Sequence, residues 1–289
     1  MNVLLTGATG FIGSRLRTRL SSSGHHVTVV SRRGPGTVSW DPDEIRAAVG
    51  RNDAVIHLAG ENLFGRRWSA TQKARLVSSR VETTRTLAQA VADTGCHVFI
   101  TASAIGYYGT SEDRQFVVGD EPGDDFLAGL CVDWEAARQA ALDAAGVRTA
   151  TLRIGVVQGL GDGALQKMLL PFKLGVGGPM GHGRQWVSWI HLDDLVTMFQ
   201  WVLENDTARG EYNGTAPHPV SNAELSRMLG RVLHRPAVMT MPGVMLRLAL
   251  GEVANVVLDG QHVTPTRAIA SGFTFRFPEL EPALRELLR

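Results

Sequence analysis

Three glycines near the start of the chain constrain its fold more than any other feature. They stand in the run Thr6-Gly7-Ala8-Thr9-Gly10-Phe11-Ile12-Gly13. An apolar strand pattern at residues 3–5 leads into this run, and an amphipathic helix pattern at residues 11–21 begins within it. Gly7 permits a tight turn, Gly10 lets the backbone approach a phosphate, and Gly13 lets the helix pack closely on the strand. The free N–H groups at such a helix start bind anions. The run therefore predicts a strand–turn–helix unit that holds a pyrophosphate, the alternative being a purely structural glycine-rich turn.

Short strand patterns alternate with helix patterns along the first half of the chain. The strand candidates are residues 2–5, 27–31, 54–58, 98–102 and 149–154, and the helices between them include residues 69–94 and 132–145. This alternation predicts an α/β fold with a Rossmann-type, doubly wound parallel sheet that binds ligands at the carboxyl ends of its strands. We expect residues 1–155 to form this nucleotide-binding domain and residues 156–289 to form a smaller substrate lobe, with residues 187–215 returning to the first domain.

The composition indicates one enzyme-sized unit whose partner is a small molecule. The 289 residues carry 29 basic and 28 acidic side chains, so binding to nucleic acid or to a membrane surface has no electrostatic support. Cys96 and Cys131 are far apart and lack neighbours at metal-ligand spacing, which predicts reduced thiols in a cytoplasmic protein without a disulfide or a metal. The apolar residues 237–258 are too interrupted to span a membrane and predict a packed helical segment. A monomer and a homodimer are both compatible with the sequence.

The residues after the second strand pattern indicate which dinucleotide fits. A carboxylate at this place would hydrogen-bond the ribose 2′-hydroxyl of NAD, but the chain reads Val29-Val30-Ser31-Arg32-Arg33. A hydroxyl and two guanidinium groups suit a 2′-phosphate, because each charge-assisted hydrogen bond to phosphate contributes about 1.5–3 kcal/mol. These residues predict NADP(H) as the cofactor. The alternative is that Arg32 and Arg33 form only a solvated loop tip.

The third strand pattern supports the same site. An acid, Asp53, precedes this strand, and the small residues Ala59 and Gly60 follow it, where bulky side chains would collide with a bound cofactor. We interpret His57, inside the strand, as an interior histidine without a chemical role. The full set of residues assigned to the NADP(H) site is Thr6, Gly7, Thr9, Gly10, Phe11, Ile12, Gly13, Ser31, Arg32, Arg33, Asp53, Leu58, Ala59, Gly60 and Arg153.

These motifs resemble the short-chain dehydrogenase/reductase superfamily, specifically its extended branch of NAD-dependent epimerases and dehydratases. The resemblance covers essentially the whole chain and rests on Thr6-Gly7-x-x-Gly10-x-x-Gly13, His57-Leu58-Ala59-Gly60, Ser103-Ala104 and Trp189-Ile190-His191-Leu192-Asp193-Asp194-Leu195. Further stretches look like a poorly characterised epimerase-like subgroup with a C-terminal domain of unknown function, among them Gly60-Glu61-Asn62, Asp133-Trp134-Glu135 and Gly183-Arg184-Gln185-Trp186. The resemblance implies a nicotinamide cofactor and hydride transfer at a carbonyl or hydroxyl carbon.

The chain departs from the family at the catalytic pair. The family carries Tyr-x-x-x-Lys on one helix face, where residues four apart are neighbours, and the lysine lowers the pKa of the tyrosine that exchanges a proton with the substrate. Aligning Glu135 with the acid that usually follows places Leu127 at the tyrosine position and Cys131 at the lysine position. Neither side chain can replace the pair. A tyrosine without assistance has a pKa near ~10 and is ionised only about one part in a thousand at neutral pH.

Three nearby hydroxyl groups are available as substitutes. Ser103 stands where the family has its substrate-binding hydroxyl, and Tyr107 and Tyr108 follow on the same loop. We predict these three as the catalytic residues, and we favour Tyr107 over Tyr108 because a family tyrosine commonly follows four residues after the serine. The alternative is that both tyrosines only wall the pocket.

The turn around Arg184 predicts a substrate-binding role for this side chain, which could hold a phosphate or a carboxylate. Val187 stands where many sugar-nucleotide relatives carry an arginine, which argues against a sugar nucleotide as the substrate. Two functions follow from the sequence. The first is an NADP-dependent oxidoreductase or epimerase acting on an unidentified small molecule, with a sugar-nucleotide-like one as an option. The second is a catalytically impaired NADP(H)-binding module that responds to redox state.

Overall fold

Parallel strands form the centre of the protein. The computed structural model describes residues 1–32, 34 and 37–289. Within these ranges, the strands are β1 (Asn2–Thr6), β2 (His26–Val30), β3 (Ala54–His57), β4 (Val98–Ala104), β5 (Gln115–Phe116), β6 (Arg148–Ile154), β7 (Val156–Gln158), β8 (Trp186–Val187), β9 (Trp189–His191), β10 (Gly210–Gly214), β11 (Val220–Ser221) and β12 (His262–Val263).

Six of these strands in the described part of the chain form one parallel sheet in the order β10-β6-β4-β3-β1-β2. The chain places β2 on one side of β1 and β3 on the other. In such sheets ligands bind where the direction of winding reverses, outside the carboxyl ends of the strands. That point lies at the ends of β1 and β3, next to the glycine run. The predicted doubly wound α/β fold is confirmed.

Helices pack on both faces of this sheet. The helices in the described ranges are α1 (Phe11–Ser22), α2 (Pro42–Val49), α3 (Ala70–Thr94), α4 (Phe126–Ala136), α5 (Gln139–Asp143), α6 (Gly163–Lys173), α7 (Leu192–Glu204), α8 (Asn222–Leu233), α9 (Gly243–Leu250), α10 (Asn255–Leu258), α11 (Thr266–Ala270) and α12 (Leu280–Leu287), with 3₁₀ turns at Ile105–Tyr108 and Gly251–Ala254. Alternate β1 residues face opposite sides of the sheet, because Leu5 belongs to the apolar cluster of Leu16 in α1 whereas Leu4 belongs to that of Leu87 in α3.

The predicted helix at residues 132–145 is wrong in its bounds. The structure has α4 and α5 there, separated at Ala137 and Arg138. Helix α4 starts earlier because the Asp125 carboxylate caps it by accepting a hydrogen bond from the Ala128 N–H at 2.9 Å. Arg138 is buried and bonds to the side chains of Thr151 and Glu211. These contacts come from distant strands, so local periodicity does not reveal the break.

The predicted packed helical segment at residues 237–258 is helical from Gly243 to Leu258, but its first helix is not packed in the core. Helix α9 has no buried residue, and Val244 and Leu248 are 66% and 72% exposed. The helix ends at Gly251, whose φ of +67° is in the left-handed region, and a 3₁₀ turn and α10 follow. Most apolar side chains of α9 therefore lie on the surface, whereas Val253, Ala254 and Leu258 after it are buried.

The second half of the chain contributes to two parts of the structure. Strand β10 extends the six-stranded sheet beside β6, and α7 packs on α1. Apolar side chains of α6, α8 and α12 form a separate cluster around Trp189, which is completely buried. None of the helices in the described ranges is long and apolar enough to cross a membrane.

Candidate active site

The three glycines of the loop after β1 are needed for different reasons. Gly7 has a φ of +71°, and a Cβ there would lie 2.8 Å from the carbonyl carbon of Leu58. A Cβ at Gly13 would lie 2.1 Å from the carbonyl oxygen of Gly7. At Gly10, by contrast, a Cβ would meet only the Gly7 oxygen, at 3.3 Å, among the described atoms. The fold therefore requires Gly7 and Gly13, whereas Gly10 leaves space that the chain itself does not fill.

The start of α1 is suited to an anion. The helix begins directly after Gly10, and no side chain caps its first turn. Its first N–H groups are therefore available to a ligand, at the positive end of the helix dipole. A hollow of about 480 Å³ lies against this turn, with Thr9 and Phe11 in its lining, whereas Ile12 packs against the core. The loop fits the pyrophosphate of a dinucleotide.

Thr6 and His57 tie together the carboxyl ends of β1 and β3. The Thr6 hydroxyl oxygen accepts hydrogen bonds from the N–H groups of Leu58 and Ala59, both at 3.2 Å, and lies 2.7 Å from His57 Nδ1. Thr6 is completely buried, so its side chain shapes the loop. Burial, together with the nearby Arg80 charge, lowers the pKa of His57 to about 3, and the imidazole is neutral at physiological pH. The interior position of His57 agrees with its interpretation as a structural residue.

The end of β2 presents the side chains predicted to select the cofactor. The Ser31 N–H donates to the Val38 carbonyl oxygen at 3.0 Å, which fixes the backbone there. Arg32 is exposed, so its guanidinium group is accessible to a phosphate. Arg33 lies outside the described residues. The contribution of these side chains to cofactor choice stays a prediction.

A buried ion pair joins Ser103 to the neighbouring strand. Arg153 is the register partner of Ser103 across β4 and β6, and it binds both carboxylate oxygens of Glu135 in α4, at 2.9 and 2.8 Å. The Ser103 hydroxyl donates to the same carboxylate at 2.7 Å. Burial opposes the charge of Arg153, but the bonds to Glu135 and its charge outweigh this effect and raise the pKa of Arg153. The guanidinium group of Arg153 is thus already bound within the protein, and its cofactor role stays a prediction.

The two tyrosines differ in what their hydroxyl groups can do. The Tyr108 hydroxyl donates to Asn213 at 2.7 Å and accepts from Arg153 at 3.0 Å, and burial raises the pKa of Tyr108. Tyr107 is half-buried, and its ring lies 3.4 Å beneath the Arg153 guanidinium carbon. The Tyr107 hydroxyl has no hydrogen-bond partner among the described residues. Of the two phenols, only that of Tyr107 is left to meet a substrate.

The positions of the missing pair are filled by packing side chains. Leu127 packs against the 3₁₀ turn at Gly106. Its Cβ lies so close that a Cβ added to Gly106 would be only 3.3 Å away from it. Cys131 is buried, and burial raises the pKa of its thiol to about 12, as it raises that of Cys96 to about 11. Both cysteines are free thiols, protonated and inert at neutral pH. Among the described residues, no three His, Cys, Asp or Glu side chains form a group that could hold a metal ion.

Two other predicted site residues lie away from the site. The Asp53 carboxylate accepts from the Asn2 N–H at 2.7 Å, at the amino end of the sheet, and ligands bind at the opposite end. This position gives no support to its predicted cofactor role, which stays a prediction. Arg184 is 74% exposed, ion-pairs with Glu112 at 3.4 Å, and does not line the cavity described next. Its predicted role over the pocket is not supported.

A cavity of about 420 Å³ lies between the glycine loop, α6 and the C-terminal segment. Its described lining contains neither Ser103 nor Tyr107. It is formed by Phe11, Asn62, Phe64, Asp162, Gly163, Ala164, Lys167, Met168, Pro171, Phe172, Val176, Gly177, Gly178, Met180, Met239, Met241, Leu246, Leu250 and Val257. Phe11 links this cavity to the glycine loop.

Two parts of the site were not predicted from the sequence. Glu135 joins Ser103 to Arg153. Its position in the family-like stretch Asp133-Trp134-Glu135 is the signal that could have identified it. Asn213, the partner of Tyr108, carried no local signal, because β10 reaches the sheet only through the tertiary fold. The methionines of the cavity come from three separate segments, at residues 168, 180 and 239–241, and could not be grouped from the sequence.

The sequence and the fold can be compared with those of known proteins. The profile of the NAD dependent epimerase/dehydratase family matches residues 3–213. The chain belongs to this family. A domain of unknown function, DUF1731, matches residues 241–287. The resemblance stated from the motifs, including that to a subgroup with such a C-terminal domain, is confirmed.

Relatives cover the whole chain. Epimerase family protein SDR39U1 of Bos taurus is 41% identical, with 100% of both chains covered. The crystal structure of human SDR39U1 (isoform 2) with NADPH is 39% identical, has a TM-score of 0.94 and covers 99% of each chain. A nucleoside-diphosphate sugar epimerase from Corynebacterium glutamicum is 32% identical, with a TM-score of 0.81, over 100% of this chain and 58% of the other. The prediction of a nicotinamide dinucleotide as cofactor agrees with the family and with the human structure.

Proposed function

We propose that this chain is an NADP(H)-dependent oxidoreductase or epimerase that acts on a carbonyl or hydroxyl carbon of a small molecule. The observation that favours turnover is Tyr107, a half-buried phenol near the carboxyl end of β4 whose hydroxyl has no partner among the described residues. The human relative solved with NADPH supports the choice of cofactor. A cytoplasmic location and a monomeric or homodimeric state stay predictions.

The chain offers defined groups to hold the cofactor. The N–H groups at the start of α1 and the open space at Gly10 suit the pyrophosphate, and Ser31 and Arg32 suit the 2′-phosphate. When bound, the nicotinamide group supplies a hydride to the substrate carbon or accepts one from it. The ends of β1 and β3 provide the backbone along which the dinucleotide lies in folds of this kind.

The proton is handled by side chains of the chain itself. The Tyr107 hydroxyl donates its proton to the substrate oxygen during reduction and takes it back during oxidation. Arg153 positions the Tyr107 ring and is itself held by Glu135. Because the Ser103 hydroxyl donates its hydrogen bond to Glu135, its oxygen lone pairs are available to accept a hydrogen bond from a substrate hydroxyl.

Replacing Tyr107 by phenylalanine tests the proposed reaction. We expect Tyr107→Phe to lower kcat for NADPH-dependent reduction by about 10²-fold or more, the scale of lost acid–base catalysis. The assay follows NADPH oxidation with a panel of aldehydes, ketones and sugar nucleotides. Tyr212→Phe is the matched control, because Tyr212 is the remaining tyrosine and its buried ring packs on Trp201. Wild-type turnover in Tyr107→Phe would remove Tyr107 from the mechanism.

Replacing Arg32 by alanine tests the cofactor preference. We expect the wild type to bind NADPH at least several-fold more tightly than NADH. Arg32→Ala should weaken NADPH binding about tenfold with NADH nearly unchanged, because only NADPH carries the 2′-phosphate. Isothermal titration measures both affinities, and Arg227→Ala on the exposed side of α8 controls for the loss of one positive charge. Equal affinities of the wild type for both nucleotides would contradict the 2′-phosphate argument.

A second candidate is an NADP(H)-binding module without turnover. It is favoured by Leu127 and Cys131, which fill the positions of the family's tyrosine and lysine with inert side chains. This candidate predicts tight nucleotide binding, no NADPH oxidation with any member of the substrate panel, and the same nucleotide affinity in Tyr107→Phe. A wild type that turns over any carbonyl substrate would exclude it.

A further inference from the structure

The cavity beside the glycine loop has an unusual lining. Four of the chain's eight methionines, Met168, Met180, Met239 and Met241, converge on it. Methionine is flexible and polarisable, so it adapts to apolar ligands of varied shape. The volume of about 420 Å³ falls within the range of small-molecule sites.

The polar side chains of the cavity are few and balance in charge. Lys167 is the only cation and Asp162 the only acid in the described lining, and Asn62 is the other polar side chain. The Lys167 ammonium group lies over the Phe64 ring, 5.1 Å from its centroid. A nucleoside diphosphate carries several negative charges, and arginine, the side chain that best binds phosphate, is absent from this lining. An uncharged ligand suits a lining in which one positive and one negative side chain balance each other.

The polar and apolar parts of the lining form two groups. Phe11 and Asp162 line both this cavity and the hollow beside the glycine loop. The Phe11 ring also packs at Gly163, and Lys167 contacts Phe64. Met180 and Met241 form the other group and are joined by backbone bridging between their segments. The acid of the cavity therefore lies on the side of the glycine loop, whereas Met180 and Met241 line only the cavity.

We propose that this cavity binds an uncharged apolar small molecule, with its polar end towards the glycine loop and its hydrocarbon part among the methionines and Leu246. The inference goes beyond the proposed function, because it concerns what the cavity binds and not whether the chain catalyses a reaction. A sugar nucleotide does not fit this lining.

The test is a homologous series of 2-alkanones from 2-hexanone to 2-decanone, titrated calorimetrically into the full chain without cofactor. Each added methylene should tighten binding about fourfold, and the whole series about a hundredfold or more. Uridine diphosphate glucose should bind more weakly than 2-decanone. An affinity that does not change with chain length, or tighter binding of uridine diphosphate glucose, would overturn the proposal.

Two residues of α9 provide a matched pair of variants. Leu246 lines the cavity, whereas Leu248 does not and is 72% exposed. Leu246→Ser should weaken 2-decanone binding about tenfold or more, and Leu248→Ser should change it less than twofold. Equal losses in both variants would show that the ketone binds the exposed apolar surface of α9 and would overturn the proposal. Because binding is measured without turnover, an inactive wild type refutes the proposed reaction without affecting this result.

Discussion

Replacing Gly10 by valine is expected to abolish binding of both NADPH and NADH while the protein stays folded. The isopropyl group would occupy the space beside the start of α1 that suits the pyrophosphate, and both nucleotides share this group. No binding should be detected at a hundred times the wild-type Kd, which corresponds to a loss of about 2.7 kcal/mol or more. Isothermal titration measures the loss, and circular dichroism measures the fold.

The structure explains why the fold should survive this change. A Cβ at Gly10 meets only the Gly7 oxygen, at 3.3 Å, and the backbone there is extended, with φ −83° and ψ 176°. Gly129→Val is the control, because a Cβ at Gly129 has no described atom within 4 Å. Gly13→Val should instead destabilise the protein, since its Cβ would overlap the Gly7 oxygen. Normal nucleotide binding by folded Gly10→Val would place the cofactor elsewhere.

Replacing Arg153 by leucine is expected to lower the free energy of unfolding by about 3–5 kcal/mol, because it leaves the Glu135 carboxylate buried without its cation. The side chains of Arg153 and Glu135 are only 6% and 10% exposed, so water cannot replace the lost partner. Urea denaturation at neutral pH measures the change. The double variant Arg153→Leu/Glu135→Leu should be less destabilised than the sum of the single variants, because it removes both charges.

An exposed ion pair gives the control for this prediction. Arg285 contacts Glu281 one turn earlier in α12 at 2.6 Å, but its side chain is 52% exposed. Arg285→Leu should cost less than about 1 kcal/mol, since solvent screens the pair. Additive losses in the double variant at Arg153 and Glu135 would show that the two side chains stabilise the protein independently and would contradict the coupled pair.

Much of the fold could be predicted because its signals are local. The glycine run and the strand–helix alternation are encoded within a few neighbouring residues. The predicted helix at residues 132–145 and the predicted packed segment at residues 237–258 failed in part, for a different reason. Their breaks depend on buried side-chain bonds of Arg138 and on the backbone of Gly251, which periodicity does not detect.

The sequence by itself determined the family, the cofactor loop and the absence of the tyrosine–lysine pair, because these depend on residue identity at short spacing. Only the tertiary structure decided which candidate side chains have no hydrogen-bond partner within the protein and can meet a ligand. Ser103 and Arg153 both hydrogen-bond to Glu135, and Asp53 lies at the amino end of the sheet, away from the ligand side. The Tyr107 hydroxyl has no hydrogen-bond partner among the described residues. Hydrogen-bond partners and burial depend on which distant segments the sheet brings together, and one sequence does not contain that information in readable form.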